Sequence, residues 1–199
     1  AADSEEVAST TAAAIAGSDT ACNAESDAAV WCYMGPMTVS KTVYGYRKKS
    51  KNNGKLIELS ELDKPLPPHE FATRGFWLEP PLVVRDEVTA AGLSFSRGGL
   101  HAIEHLLIAL APLVTACEPA DLGCQCTRRH GDAHAERLLI FEKRRGGIGI
   151  AAQLFPCLDK LIQAAQARLE GCSCSEGCSG CIFMAGCGEY NEGLDKAAA

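Results

Sequence analysis

The segment Cys172-Ser-Cys174-Ser-Glu-Gly177-Cys178-Ser-Gly-Cys181 constrains the fold more than any other part of the chain. Four thiols spaced C-x-C-x3-C-x2-C, rich in Gly and Ser and with no continuous apolar run around them, are poorly suited to a hydrophobic core. Four thiolates meet zinc's preference for soft ligands in a closed tetrahedral site. Gly177 lets the chain turn between the first pair and the second. A closed site offers no labile water, so its role is folding, and binding the metal supplies order that the segment cannot obtain by burying apolar area. The reading is therefore one structural zinc ion held by Cys172, Cys174, Cys178 and Cys181, with Cys187 as an alternate ligand in place of Cys172 or Cys174. The competing readings are an iron–sulfur cluster, which the C-x-C pairing and small loops disfavour, and unligated reduced thiols.

The cysteine count supports a metal over a disulfide framework. Eleven cysteines, an odd number, with a tight C-terminal cluster and no signal-like segment point to a reducing compartment. The apolar run from Leu106 to Val114 is too short to span a bilayer and Pro112 interrupts it, so a soluble intracellular protein with no membrane association is expected. A net charge of −6 excludes the global basic field of a small self-sufficient DNA binder. Any nucleic-acid contact must use a local patch or a larger assembly.

The patterning predicts an α+β fold, a mostly antiparallel sheet with two long buried helices and the C-terminal clasp. Residues 1–37 read as a disordered or loop segment, because the first 29 or so are rich in Ala, Ser, Thr, Asp and Glu. Residues 38–199 read as one zinc-binding domain, with 171–190 the clasp. Val39 to Tyr46 is β-prone, Arg47 to Gly54 an exposed turn and Lys55 to Leu59 a returning strand. Pro65, Pro67 and Pro68 make a rigid connection. Phe71 to Leu78 and Leu82 to Val88 read as strands separated by Pro80-Pro81. Leu100 to Cys117 carries a broad helical apolar stripe through Leu100, Ile103, Leu107 and Leu110. Residues 118–135 read as polar loop, Arg137 to Phe141 as an apolar strand, and Ile150 to Leu169 as the second long helix.

His101-Ala-Ile-Glu104-His105 matches H-x-x-E-H, the inverted zincin arrangement. Its histidines share a helical face one turn apart, and Glu104 stands where a general base would be needed. A third ligand, usually a carboxylate on a later helix, is required, and the second helix offers only Asp159 and then Glu170. The plainer reading is a buried polar network of His101, Glu104 and His105. Cys124, Cys126 and His130, completed by His134 or Cys117, are candidates for a second metal site, against exposed loop residues. Gly146-Gly147-Ile148-Gly149 lacks both G-x-G-x-x-G and G-x-x-x-x-G-K, and reads as a tight strand-to-helix turn. No nucleotide-hydrolysis motif occurs, so this chain is not a motor by itself.

Three basic runs are candidates for nucleic-acid contact: Arg47, Lys48, Lys49 and Lys51 with Lys55; Arg128 and Arg129 with His130; and Lys143, Arg144 and Arg145. Such runs are more often solvated loop charge. Phe76 and Trp77 have the chemistry to stack on bases, but their strand setting favours the core.

Taken together, Gly99-Leu100-His101-Ala102-Ile103-Glu104-His105, Arg137 to Phe141 leading into Gly146-Gly147-Ile148-Gly149, the cysteine series through Cys187-Gly188, and Asn191-x2-Leu194-Asp195-Lys196 resemble the C-terminal zinc-binding domain (DUF1998/MZB type) of the MrfA/Hrq1 helicases. These are RecQ4-like superfamily 2 DNA helicases. The resemblance runs from about Thr38 to the end, and Phe76-Trp77-Leu78 fits its upstream strand. The Asp121 to Cys126 segment is closer to the eukaryotic branch, which implies the nucleus. Arg144-Arg145 departs from the short His-Pro type of turn found in many relatives.

The resemblance implies a non-catalytic module of an ATP-dependent 3′–5′ helicase in excision-type repair and interstrand-crosslink processing. ATP and Mg2+ would belong to two RecA-like motor lobes of the same chain, absent here, and the DNA partner would be single-stranded or forked. Cys172, Cys174, Cys178 and Cys181 would hold the zinc, and the HxxEH helix would be an internal element of the fold. A second reading is a zinc-stabilised protein-interaction domain with little DNA contact. A third is an HxxEH zinc metallopeptidase.

Overall fold

The computed structural model describes residues 2–14, 30–53, 55–127 and 136–199, with residues 2–14, 96, 126 and 127 described by their backbone alone. Among the described residues the chain is α+β, with an antiparallel sheet as its frame. Its strands are β1 (Ala2–Ala14), β2 (Trp31–Ser50), β3 (Leu56–Glu61), β4 (His69–Glu79), β5 (Leu122–Thr127) and β6 (Arg137–Glu142). Strand order is β1-β2-β4-β6-β5, and β3 also pairs with the distal half of β2. The helices are α1 (Leu82–Ala90), α2 (His101–Leu110), α3 (Ile150–Leu154) and α4 (Leu158–Gly171).

Period-2 alternation divides the sheet into two faces. Phe76 and Leu78 of β4, Leu122 of β5, and Leu138 and Ile140 of β6 face the main core. There they meet Ala102, Leu106, Leu107 and Ile108 of α2, Ile150 and Leu154 of α3, and Leu158, Leu161 and Ala165 of α4. Trp77, Leu139 and Phe141 alternate onto the opposite face and pack with Met37 and Val39. Every residue of β6 is buried, so its near-continuous apolar run reflects a strand covered on both sides. Phe76 and Trp77 are core residues, Phe76 tilted against Phe155 and Trp77 stacked on Tyr33 with ring centroids 5.5 Å apart. They are thereby withdrawn from any base-stacking role.

Helix α2 begins as a continuation of a π-helical turn over Phe95–Leu100. Gly99 allows the C-terminal tail to close on that turn: a Cβ there would lie 2.4 Å from the Ala198 carbonyl oxygen. The second long helix is interrupted by a 3-10 turn over Phe155–Cys157 that contains Pro156, the residue that cannot continue the hydrogen-bond ladder.

Four local expectations are corrected. Residues 2–14, read as disordered or loop, form β1, pairing from Ala2↔Ser50 to Ala14↔Met37 with a register shift at Val7/Ala8. A long template strand supplies backbone partners that weak composition does not reveal. The segment from Leu82 is helix α1, not a strand: it starts directly after Pro81, an extended N-cap with φ −65° and ψ 150°, and α1 buries none of its residues. Residues 122–127, read as loop, form β5, whose backbone pairs with β6 from Leu122↔Glu142 to Thr127↔Arg137. The predicted helix to Cys117 stops earlier, α2 ending at Leu110 before a 3-10 turn over Ala111–Leu113 that holds Pro112. No helix of the described residues is long and apolar enough to cross a membrane.

Candidate metal centre

Helix α4 delivers the first ligand. Its last residue is Gly171, and Cys172 leaves it in extended conformation with φ −92° and ψ 120°. The chain reverses at Gly177, whose φ of +109° favours glycine and whose absent Cβ would lie 2.6 Å from Ile182 Cδ1. A tight turn then brings Cys181 back, its N–H donating to the Cys178 carbonyl at 3.0 Å. Ile182, fully buried, anchors this turn in the main core. Arg168 of α4 ties it from the other side by donating to the Gly180 carbonyl at 2.5 Å.

The four sulfurs converge. Cys172–Cys174 and Cys174–Cys181 are 3.5 Å apart, Cys172–Cys178 3.6 Å and Cys178–Cys181 3.8 Å. A zinc ion with four bonds to sulfur of about 2.3 Å sets tetrahedral edges of about 3.8 Å, so the donor set fits zinc. Backbone N–H groups of Cys178 and Gly180 point at the sulfurs of Cys181 and Cys178, both at 3.3 Å, as they do toward charged thiolates. Protons are unevenly shared across the cluster. The Cys174 N–H and the neighbouring thiols pull Cys172 down to about 7, whereas burial and its three sulfur neighbours push Cys174 up to about 12. Four thiolates at contact distance repel one another, and a bound dication removes that obstacle.

Cys187 does not join this cluster. It lies in a separate buried group with His101 and His105, one ligand atom from each falling within 4.8 Å of the others. Cys187 Sγ is 3.4 Å from His101 Nε2, and His105 Nδ1 is 2.7 Å from the Ile182 carbonyl oxygen. The two rings meet edge to face with centroids 4.5 Å apart. Burial pushes the Cys187 thiol up, but hydrogen bonds from His101 and the backbone of Asn191 and Glu189 outweigh it and leave it below the ordinary range. Burial holds His105 below the usual histidine value, against the opposing pull of its Ile182 bond. Glu104 is 1% exposed on the same helix.

Of the other candidate ligands whose side chains are described, Cys117 and Cys124 belong to no metal-ligating group. Cys124 lies in β5 and packs at the edge of the main core, and Cys117 is half-buried beyond α2. His130 and His134 lie outside the described residues, as do Arg128 and Arg129 of the second basic run. In the first run, Arg47 and Lys49 both rest over the Tyr190 ring, at 3.8 and 4.5 Å from its centroid. Lys48, on the opposite face of β2, pairs with Glu58 at 3.7 Å, and Lys51 lies in the turn that follows the strand. Lys143, Arg144 and Arg145 follow β6; Arg144 lies 3.9 Å from Asp121, and Arg145 donates to the Glu70 carbonyl at 3.4 Å.

Two residues that shape the site escaped sequence reasoning. Lys196 donates to the carbonyls of Cys172 and Cys174 at 2.6 and 2.7 Å. Glu142, fully buried, accepts the Ile148 N–H, the Gly149 N–H at 3.1 Å and the Ala151 N–H at 3.0 Å, and so fills the anion site at the start of α3. A carboxylate ending an apolar strand just before a glycine turn into a helix was the available signal for Glu142. Lys196 had none beyond its place in the Asn191-to-Lys196 motif.

Residues 103–182 match the family described as the MrfA Zn-binding domain. The chain is 33% identical over 100 residues to an uncharacterised protein of Methanocaldococcus jannaschii, a match covering 49% of this chain and 89% of that protein. It is 29% identical over 162 residues to the ATP-dependent helicase hrq1 of Schizosaccharomyces pombe, covering 75% of this chain but 15% of the helicase. The fold resembles that in the crystal structure of the DUF1998 helicase MrfA bound to DNA, with a TM-score of 0.62, 18% identity, and coverage of 96% of this chain and 24% of that one. On the four-sulfur cluster and these matches together, the chain belongs to the MrfA Zn-binding domain family.

Proposed function

We propose that the chain is the non-catalytic zinc module of an ATP-dependent DNA helicase. The observation that carries this reading is the four-sulfur cluster at the end of α4, in a chain whose similarity extends over 75% of its length to a protein named as an ATP-dependent helicase. The zinc held by Cys172, Cys174, Cys178 and Cys181 supplies no chemistry to a substrate. It fixes the loop from Cys172 to Ile182 against α2 and α4, so the sheet and helices act as one rigid body beside the RecA-like motor lobes, where ATP and Mg2+ would bind. The DNA partner is single-stranded or forked, the polarity 3′–5′, and the cellular setting nuclear excision-type and interstrand-crosslink repair.

Within that reading, bracing of the motor has its own support. Leu56, Ile57 and Leu59 of β3 are each more than half exposed, an apolar surface suited to packing against a neighbouring domain. Several basic side chains are already engaged inside the domain: Lys48 by Glu58, and Arg47 and Lys49 by Tyr190.

The test is ATP-dependent unwinding of a forked duplex by the polypeptide that joins this chain to its motor lobes. Cys178→Ser is expected to abolish unwinding while single-stranded DNA still stimulates ATP hydrolysis. Unwinding at the unaltered rate by a Cys178→Ser protein shown to lack zinc would overturn the proposal.

A further inference from the structure

We propose that His101, His105 and Cys187 form a second zinc site, separate from the four-cysteine clasp and closed to solvent. Each is buried, at 6%, 1% and 8% exposure, and one donor atom from each lies within 4.8 Å of the other two. Zinc bonds of about 2.3 Å to sulfur and about 2.0–2.1 Å to nitrogen place two tetrahedral ligands about 3.6 Å apart. The Cys187 Sγ to His101 Nε2 distance of 3.4 Å is close to that edge.

The hydrogen bonding of His105 identifies its donor atom. A carbonyl oxygen only accepts, so the Nδ1 facing the Ile182 carbonyl at 2.7 Å carries the proton. Nε2 is then the lone-pair nitrogen. It is buried and has no hydrogen-bond partner among the described residues. Buried acceptors without partners are rare, because burial costs them their water. Metal-binding histidines have this arrangement: one ring nitrogen bonds a backbone carbonyl and fixes the tautomer, and the other faces the ion.

A thiol-to-imidazole hydrogen bond alone engages Cys187 Sγ and His101 Nε2 but leaves His105 Nε2 without a partner among the described residues. Zinc accounts for all three donor atoms. The histidines stand one turn apart on α2, and Cys187 follows Cys181, the last clasp ligand, by six positions. The second ion therefore staples α2 to the far end of the loop whose near end the first ion closes. With all three ligands buried, its role is structural.

The inference is independent of the helicase reading, and metal stoichiometry tests it. Elemental mass spectrometry of the purified full chain is expected to give two zinc ions. Cys187→Ser and His105→Gln are each expected to give one, retained by the clasp. One zinc in the unaltered chain, or two in both variants, overturns the proposal. If either variant fails to fold, titration of the metal-free unaltered chain with Co2+ decides the matter. A second equivalent is expected to add a thiolate-to-cobalt band roughly a quarter as strong as the first, one thiolate against four. Saturation at one equivalent contradicts the site.

Discussion

The Lys196 ammonium lies 2.6 Å from the Cys172 carbonyl oxygen and 2.7 Å from that of Cys174, so one cation grips the backbone of two clasp ligands. With zinc bound, four thiolates leave the centre with a net charge of −2, and Lys196 offsets part of it while fixing both loops. Removing the charge and keeping the stem tests this. Lys196→Met is expected to weaken zinc binding about 10–100-fold, as loss of an outer-shell partner does. Competition with a chromophoric chelator measures it, and unchanged affinity would show that Lys196 serves only the tail.

Glu142 stands between the strand and helix layers as a buried anion with three backbone N–H donors. Replacing it with Gln keeps the size but turns an amide N–H toward those donors. A loss of about 2–3 kcal/mol is expected, the scale of charge-assisted hydrogen bonds left unmade in the interior. Urea denaturation would reveal it as a lower midpoint at constant slope. A midpoint equal to that of the unaltered chain would contradict the capping role.

Cys117 gives a pH prediction away from the metal sites. Burial, reinforced by the Asp121 carboxylate, raises its pKa above the ordinary 9.0. The folded state therefore favours the thiol, so this stabilising contribution is complete below about pH 9 and is lost as pH rises beyond it. At pH 8, Cys117 is expected to react with iodoacetamide more slowly in the folded chain than in urea, and Asp121→Asn to quicken it. Equal folded and unfolded rates in peptide mass maps would contradict the assignment.

Arg47 and Lys49 point the same way from β2 and share the Tyr190 ring. If this pair tracks phosphates in the helicase, replacing both with Ala weakens binding to single-stranded DNA. The plot of log affinity against log salt then becomes shallower by about 1.4, two contacts of about 0.7 each. Fluorescence anisotropy across a salt series gives the slope. An unaltered slope assigns the pair to the domain's own packing.

The parts legible in the sequence were those encoded locally. The clasp spacing, the apolar stripe of α2, the run that became β6 and the turn at Gly177 each carry their reason within a few residues. What was not legible depends on distant partners. Weakly apolar residues 2–14 become a strand because β2 is long enough to template them. Leu82–Ala90 winds into a helix directly after Pro81 although Val83 and Val84 favour strand. Cys187 looked like a spare clasp ligand because its partner, His101, stands 86 positions earlier. Spacing along the chain could pair His101 with His105, but only the fold brings them to the clasp loop.

The central claim is that Cys172, Cys174, Cys178 and Cys181 hold one zinc ion. Zinc K-edge X-ray absorption on the Cys187→Ser chain tests it most directly, because that variant leaves the clasp as the remaining thiolate centre. The predicted spectrum is a single shell of four sulfurs at about 2.3 Å. A spectrum dominated by nitrogen or oxygen at about 2.0 Å, or a protein that binds no zinc, would contradict it.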